Sequence, residues 1–186
     1  MTTPVTAKEI ETVMAEAELL HSTAAVEAAI DRMAKEITAR LAKKNPVVLC
    51  LMIGAVIPVG MLLPRLDFPL QIDYVHATRY QGKTSGGEIT WLKNPGMDLT
   101  GRTVLIVDDI LDQGITLASI VAECKKMNAA EIYTAVLADK KIGKSRMIEK
   151  ADFTGLTVPN RYVFGYGMDY KGYLRNAPGI YAVKGL

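Results

Sequence analysis

Short apolar runs alternate with amphipathic helical patterns along most of the chain. The clearest example begins with the apolar run Thr103–Val107, continues with apolar residues at helical spacing, and ends with a second apolar run at Ile132–Ala138. The spaced residues are Leu117, Ile120, Val121, Cys124 and Met127. Because a strand, a helix and a strand in succession form a parallel βαβ unit, this order predicts an α/β fold with a mostly parallel, twisted sheet flanked by helices.

The same patterns predict further elements. Strand candidates are Ile72–Thr78, Ile89–Leu92, Tyr162–Phe164 and Ile180–Val183. The N-terminal segment, about residues 6–43, favours helices, because Thr6 and Glu9 form a capping box and apolar residues then recur at helical spacing. Those residues are Val26, Ile30, Met33, Ile37 and Leu41.

The uncharged segment 45–64 approaches the length of about 18 apolar residues that indicates a membrane span. It contains three prolines and two glycines, however. A strand over Val47–Ile53, a tight turn at Gly54 and Ala55 and a short helix with Pro58 in its first turn explain the same residues better. We therefore expect no membrane span.

The composition excludes several classes of protein. The chain has 186 residues, of which 49% are hydrophobic and 23% charged, with a formal net charge of +2. These values are typical of one globular domain and exclude intrinsic disorder and disulfide scaffolds. The charge bias is too weak to indicate nucleic-acid binding. Cys50 and Cys124 lie in apolar runs without a partner at metal or redox spacing, and no export signal is evident, which favours a cytoplasmic protein.

The strongest chemical signal is an apolar strand that ends in Asp108 and Asp109 and leads through a short loop into a helix. In open α/β sheets, ligands bind at such strand ends. The helix N-terminus offers unpaired N–H groups to an anion, Gly114 permits close approach of a phosphate, and Thr116 adds a hydroxyl donor. Because the loop lacks the Walker A sequence and the glycine spacing of a dinucleotide site, residues 112–116 predict a cradle for a phosphate monoester.

The paired carboxylates beside this cradle permit two interpretations. Asp108 and Asp109 either accept hydrogen bonds from sugar hydroxyls, directly or through a magnesium ion, or merely cap the following helix. Two adjacent carboxylates at a strand end are electrostatically costly, which favours the functional interpretation.

The histidines and a basic run are weaker signals. His21 and His76 lie far apart and have no cysteine or carboxylate at ligand spacing, so we interpret both as structural. The basic run that follows the βαβ unit is most simply a solvated loop and helix face, and only Lys140 is singled out, by its place at a strand end. Its members are Lys140, Lys141, Lys144, Arg146 and Lys150.

The segment VLIVDDILDQGIT, residues 104–116, resembles the phosphoribosyl pyrophosphate (PRPP) loop of the type I phosphoribosyltransferases. Leu137–Lys140 and Asn160–Tyr170, with Arg175 five residues on, are similar to signatures of hypoxanthine-guanine phosphoribosyltransferases. The resemblance implies the type I phosphoribosyltransferase fold for residues 1–186 as one domain. In that fold a PRPP-binding core spans about 47–140, and a purine-binding segment over about 152–186 joins N-terminal residues in a small hood.

The resemblance also implies roles within the PRPP loop. Asp112 would lie near purine N7 and act as the general base or acid at that nitrogen. Asp108 and Asp109 would contact the ribose hydroxyls and a Mg²⁺ cofactor. The residues that would hold the 5′-phosphate are Gln113, Gly114, Ile115 and Thr116.

Purine recognition is implied for the later signatures. Lys140 would donate to the 6-oxo group, Tyr162 would stack on the purine, and the backbone of Val163 would read the base edge. Asp169, beside the purine, matches a second magnesium ligand, and Arg175 matches a pyrophosphate contact. Since adenine carries an amino group at C6, a lysine donor at that place would reject adenine.

Two further loops match the family. The turn Ile53, Gly54 and Ala55 stands where backbone amides of the family's pyrophosphate loop face the leaving group. Many relatives have lysine and glycine at the places of Ile53 and Ala55, so we expect weaker pyrophosphate affinity. A second loop matches a lid whose closure would exclude water from a cationic transition state. It comprises Arg79, Tyr80, Gln81, Gly82, Lys83, Thr84 and Ser85.

Together these resemblances imply transfer of the 5-phosphoribosyl group from PRPP to N9 of hypoxanthine or guanine. The products would be IMP or GMP and pyrophosphate, in purine salvage. Two alternatives stay open: a PRPP-sensing regulatory protein without catalysis, and the same chemistry with a preference for xanthine. Because relatives form dimers and tetramers, a homo-oligomer is also expected.

Overall fold

The computed structural model describes residues 5–79 and 89–186. Its helices are α1 (Ala7–Glu16), α2 (Thr23–Leu41), α3 (Val56–Leu62) and α4 (Ile115–Lys126), with a 3₁₀ turn at Leu63–Arg65. Its strands are β1 (Glu18–Ser22), β2 (Val47–Met52), β3 (Gln71–Arg79), β4 (Ile89–Lys93), β5 (Thr103–Leu111), β6 (Glu131–Lys141), β7 (Phe153–Pro159), β8 (Val163–Phe164) and β9 (Gly179–Ala182).

Six of these strands form the central sheet, in the order β4-β3-β2-β5-β6-β7. β3 and β4 pair antiparallel, whereas the other neighbours are parallel. Residues 47–51 of β2 and 103–109 of β5 are all buried. Continuous apolar strands of this kind are typical of a parallel sheet that is covered on both faces. The predicted α/β fold with a mostly parallel sheet is thus confirmed.

Two crossovers run in opposite directions from the middle of this sheet. From β2 the chain passes through α3 to β3 on one side, and from β5 it passes through α4 to β6 on the other. Because parallel crossovers are right-handed, α3 and α4 cover opposite faces of the sheet. The loops that follow β2 and β5 therefore diverge, and a crevice opens between them at the carboxyl ends of the strands.

The uncharged segment 45–64 forms β2, a turn and α3, close to the predicted boundaries. Pro58 lies in the first turn of α3, where its missing N–H is tolerated. Within residues 5–79 and 89–186, no helix has the length and apolar character that crossing a membrane requires.

A small antiparallel sheet, β1-β9-β8, forms the hood together with α1. The expectation of helices throughout about 6–43 is wrong at Glu18–Ser22, which forms β1 because it pairs with β9. Five residues with a mixed pattern carry no periodic signal, so this strand depends on its distant partner. The predicted N-terminal contribution to the hood is confirmed.

Two strands differ from their predicted extents. Phe153–Pro159 forms β7 and pairs with β6, so the predicted hood segment 152–186 is divided, and only its later part lies in the hood. β5 does not end at the paired carboxylates but continues to Leu111, because its pairing with β6 continues through Leu111 and Asp139. This extension places the paired carboxylates inside a strand of the sheet.

Candidate active site

A cleft of about 600 Å³ opens at the crevice between the carboxyl ends of β2 and β5. Side chains from both crossovers and from the hood line its walls. The predicted site residues among them are Ile53, Gly54, Asp108, Asp109, Asp112, Gly114, Ile115, Thr116, Lys140, Tyr162, Val163, Asp169 and Arg175. Segments that are far apart in the sequence therefore meet in one place.

The phosphate cradle is the N-terminus of α4. Gly114 is its N-cap residue, with a φ of 72° that favours glycine. A Cβ atom on Gly114 would lie 2.9 Å from the backbone nitrogen of Ile148, so a larger residue would also collide with the neighbouring loop. Ile115 and Thr116, in the first turn of the helix, line the cleft, and no side chain caps this helix N-terminus. Such a helix N-terminus attracts a phosphate group.

Two predicted contacts require correction. The N–H of Ala55 donates to Leu51 at 3.0 Å and its side chain is fully buried, so Ala55 has no amide to offer a pyrophosphate. Gln113 does not line the cleft but an adjoining cavity, and its carbonyl accepts a hydrogen bond of 3.0 Å from Met147. Of the predicted pyrophosphate turn, Ile53 and Gly54 line the cleft.

Gly54 is packed tightly between the acidic strand and the hood. A Cβ atom on Gly54 would lie 2.1 Å from Oδ2 of Asp109. A Cβ atom on Gly167 of the hood would in turn lie 2.0 Å from the carbonyl oxygen of Gly54. Since either side chain would force atoms apart, these two glycines permit the turn, Asp109 and the hood to approach one another.

Replacing Gly54 with alanine is expected to destabilise the protein by about 1–3 kcal/mol, because the added methyl group overpacks the site. Because the resemblance implies a pyrophosphate contact at this turn, displacement of the Asp109 carboxylate is also expected to weaken pyrophosphate binding. Thermal unfolding and pyrophosphate titration measure both effects. Gly60→Ala is the matched control, because a Cβ there would meet no atom within 4 Å. Equal stability of the two variants would contradict this account of the packing.

Asp108 and Asp109 are both buried within β5, a short way before its carboxyl end at Leu111. Burial raises the pKa of each carboxyl, and the adjacent Asp109 raises the pKa of Asp108 further. Arg175 partly offsets this at Asp109, since its guanidinium lies 3.8 Å from the Asp109 carboxylate and also pairs with Asp169 at 2.7 Å. The positive charge of Arg175 thus stabilises the ionised pair, and a bound cation would stabilise it further.

The carboxylates suit a hard cation but do not form a complete cage for one. Among residues 5–79 and 89–186, no group of three histidine, cysteine or acidic side chains is placed to hold a metal ion. Asp108, Asp109 and Asp169 line the same cleft without forming such a group. Magnesium sites that rely on one or two carboxylates are completed by water and substrate phosphates, and the residues present fit that kind of site.

Replacing Asp108 with asparagine is expected to stabilise the ligand-free protein at neutral pH by about 1 kcal/mol, or roughly 2–4 °C. The pKa of Asp108 is raised in the folded protein above its ordinary value of 3.8. Wild-type protein therefore keeps its full stability below pH 3.8, where Asp108 is protonated, and loses stability as the pH rises from 3.8 through the raised pKa. The difference in melting temperature should therefore shrink as the pH approaches 4. A variant less stable than wild type at neutral pH would contradict this expectation.

The predicted purine-binding residues Lys140, Tyr162 and Val163 also line the cleft. Nζ of Lys140 lies 3.4 Å from Oδ2 of Asp112, so an ammonium donor and a carboxylate stand side by side. Tyr162 is 40% exposed and meets Tyr170 edge to face, with 5.6 Å between ring centroids. The hydroxyl of Tyr170 donates to Glu9 of α1 at 3.0 Å. The N-terminal helix thereby supports the ring against which Tyr162 rests.

The predictions for the two histidines, the basic run and the lid have different outcomes. His21 is structural as predicted, because its Nε2 donates to the carbonyl of Thr157 at 2.8 Å and joins the hood to β7. His76 lines the cleft, and its interpretation as structural stays a prediction. Arg146 is not solvated but buried behind the phosphate loop, which no pattern in the sequence indicates. The predicted lid lies outside the described residues, except that the backbone of Arg79 ends β3.

Comparison with known proteins agrees with this geometry. Residues 16–171 match the model of the phosphoribosyl transferase domain. The chain is 37% identical over 155 residues to a hypoxanthine-guanine-xanthine phosphoribosyltransferase of Tritrichomonas foetus, covering 83% of this chain and 85% of that protein. It is 37% identical over 160 residues to a hypoxanthine-guanine phosphoribosyltransferase of Streptococcus pneumoniae, covering 83% and 88%. A hypoxanthine phosphoribosyltransferase structure from Staphylococcus aureus superposes with a TM-score of 0.83 at 27% identity, covering 90% and 91%. The chain therefore belongs to the phosphoribosyltransferase family.

Proposed function

We propose that this chain transfers the 5-phosphoribosyl group of PRPP to N9 of hypoxanthine or guanine and releases pyrophosphate with IMP or GMP. The observation that carries the proposal is one cleft in which a helix N-terminus, two buried carboxylates and the adjacent Lys140 and Asp112 converge. The names of the similar proteins from T. foetus and S. pneumoniae support the same reaction. The role would be purine salvage.

PRPP would bind along the loop that joins β5 to α4. The N–H groups at Ile115 and Thr116, with the Thr116 hydroxyl, would hold the 5′-phosphate at the positive end of the helix. Asp108 and Asp109 would accept hydrogen bonds from the ribose hydroxyls. The pyrophosphate would then lie toward Ile53, Gly54 and the guanidinium of Arg175, a good bidentate partner for phosphate oxygens.

Mg²⁺ is the cation that we propose to accompany PRPP. Asp108, Asp109 and Asp169 would offer the carboxylate oxygens that this ion prefers. When bound, the ion would neutralise negative charge on the leaving pyrophosphate. Arg175 contributes in the same direction from the protein itself, because it already faces two of these carboxylates.

The purine would lie between Tyr162 and the Lys140–Asp112 pair. The Lys140 ammonium would donate to O6, Tyr162 would stack on the ring, and the Val163 backbone would meet the base edge. As N9 forms its bond to ribose C1′ and the bond from C1′ to pyrophosphate breaks, Asp112 would accept the proton that leaves N7. The carboxylates around the ribose would stabilise the positive charge that develops there.

A preference for xanthine is the alternative that the site leaves open. Lys140 distinguishes a 6-oxo group from an amino group, but the substituent at C2 would face backbone atoms near Val163. The T. foetus relative is named for xanthine as well as for hypoxanthine and guanine. A sensor without catalysis is disfavoured, because Asp112, Lys140 and Tyr162 all line the cleft.

The decisive experiment offers hypoxanthine, guanine, xanthine and adenine separately to the purified protein with PRPP and magnesium. Rapid formation of IMP and GMP with little AMP would support the proposal. XMP formed at a similar rate would favour the alternative base preference. PRPP binding without any nucleotide product would instead indicate a sensor.

A homo-oligomer, either a dimer or a tetramer, is also proposed, in the cytoplasm as the sequence leads us to expect. Ile72 and Tyr74 of β3 and Leu92 of β4 are 54%, 45% and 60% exposed. Apolar side chains grouped near a sheet edge favour contact with a second copy. Sedimentation velocity would show a dimer or tetramer, and a monomer at micromolar concentration would contradict the proposal.

A further inference from the structure

Arg146 belongs to the loop between β6 and β7, yet its side chain is only 8% exposed. Its neighbours Lys144 and Ser145 are exposed. Arginine is seldom buried unless it is paired, because removing its charge from water is costly. The surroundings of this guanidinium therefore have to supply both a counter-charge and several acceptors.

The guanidinium bridges the ends of two strands. Its Nη1 donates toward the carbonyl oxygens of Leu111 at 3.2 Å and Asp112 at 3.5 Å, at the end of β5. The same nitrogen lies 3.1 Å from the carbonyl oxygen of Lys140, near the end of β6. Nη2 lies 2.7 Å from a buried carboxylate oxygen of Asp139, which supplies the counter-charge.

The loop itself is fixed in place around this residue. Nε and Nη2 of Arg146 donate to the carbonyl of Glu149 at 3.2 and 2.7 Å. The next residue, Met147, donates its N–H to the carbonyl of Gln113 at 3.0 Å. The loop is thus held to itself and to the phosphate cradle, and Arg146 contacts both strand ends at once.

Those two strand ends carry the side chains of Lys140 and Asp112, which lie side by side in the cleft wall. Nζ of Lys140 and Oδ2 of Asp112 are 3.4 Å apart. The hydrogen bonds that Arg146 makes to these two residues go to their backbone carbonyls. A change at Arg146 would therefore alter their separation without removing a group that meets the substrate.

We propose that Arg146 is a positioning residue, which sets the distance between Asp112 and Lys140 by joining their backbone carbonyls. This inference rests on the proposed function, in which Asp112 acts at purine N7 and Lys140 at O6. Lysine cannot replace arginine here, because an ammonium group lacks the planar fork of donors that reaches several acceptors at once. A shift of about 1 Å between reacting groups is sufficient to lower activity about 100-fold.

The test compares Arg146→Lys with wild type and with Lys144→Met, a change to an exposed cation of the same loop. Measurements are the melting temperature, the PRPP dissociation constant with magnesium, and kcat and KM for hypoxanthine. Arg146→Lys keeps a positive charge beside Asp139, so the fold should be retained. We expect kcat/KM for the base to fall about 100-fold, with PRPP affinity within about threefold of wild type. Lys144→Met should leave every value unchanged.

A double variant shows whether Arg146 acts through Lys140. If it does, adding Arg146→Lys to Lys140→Ala should lower kcat/KM much less than it does in wild type. Full additivity, or equal losses of base and PRPP binding, would overturn the inference and leave the proposed function standing. A wild-type protein that forms no nucleotide would overturn the proposed function, and the inference with it.

Discussion

Replacing Asp112 with asparagine is expected to lower turnover about 10²- to 10⁴-fold and to change the PRPP dissociation constant by less than about threefold. The carboxylate is the group that we place at purine N7. Asparagine keeps its size and its capacity for hydrogen bonds but cannot accept a proton. Because we propose that backbone N–H groups at Ile115 and Thr116 and the Thr116 hydroxyl hold the phosphate, we expect PRPP binding not to depend on the Asp112 carboxylate.

Single-turnover nucleotide formation and a separate PRPP titration distinguish these two effects. Asp67→Asn is the control for the chemical change, because Asp67 is exposed at the surface and does not line the cleft. Turnover close to wild type in Asp112→Asn would remove the carboxylate from the mechanism. A parallel loss of PRPP affinity would show that Asp112 shapes the cradle.

Replacing Lys140 with alanine is expected to lower kcat/KM for hypoxanthine and guanine roughly 10- to 150-fold, the effect of losing one charged hydrogen bond of about 1.5–3 kcal/mol. The Lys140 side chain is only 15% exposed, so water would not fully replace its ammonium group. The rate with adenine should fall less or even rise, because the donor that faces its amino group would be gone. PRPP affinity should change little.

The base-specific rates of Lys140→Ala are best compared with those of Lys141→Ala. Lys141 is the adjacent lysine, but its side chain is 62% exposed and pairs with Asp139 outside the cleft. The control should keep the wild-type preference for a 6-oxo group. If both variants lose hypoxanthine and PRPP binding equally, Lys140 has a structural role.

The parts of the site that depend only on the local sequence of one strand and one helix could be predicted. The apolar run before Asp108 and Asp109 specifies a strand locally, although the end of that strand at Leu111 depends on its pairing with β6. Gly114 before an amphipathic helix specifies a helix N-terminus. Local rules such as these are sufficient because the backbone itself forms the cradle. The resemblance adds Lys140 and Tyr162, and both do line the cleft.

Features that depend on distant partners could not be predicted. β1 is a strand only because β9 lies beside it, and Arg146 is buried only because its loop folds back on the end of β5. The amide of Ala55 is lost as a ligand group because it bonds to Leu51 as α3 begins. Each of these outcomes reflects tertiary contacts that override local preference.

The pairing of β1 with β9 also has a consequence for synthesis on the ribosome. Leu19 emerges early, but its partner Tyr181 is made some 160 residues later. The central sheet, by contrast, is made of strands that follow one another closely, so its contacts join segments that are nearer in the sequence and can form sooner. A chain stalled before β9 would therefore have a PRPP cradle but no completed hood. Ribosome-bound chains of increasing length should acquire PRPP binding well before they acquire purine binding.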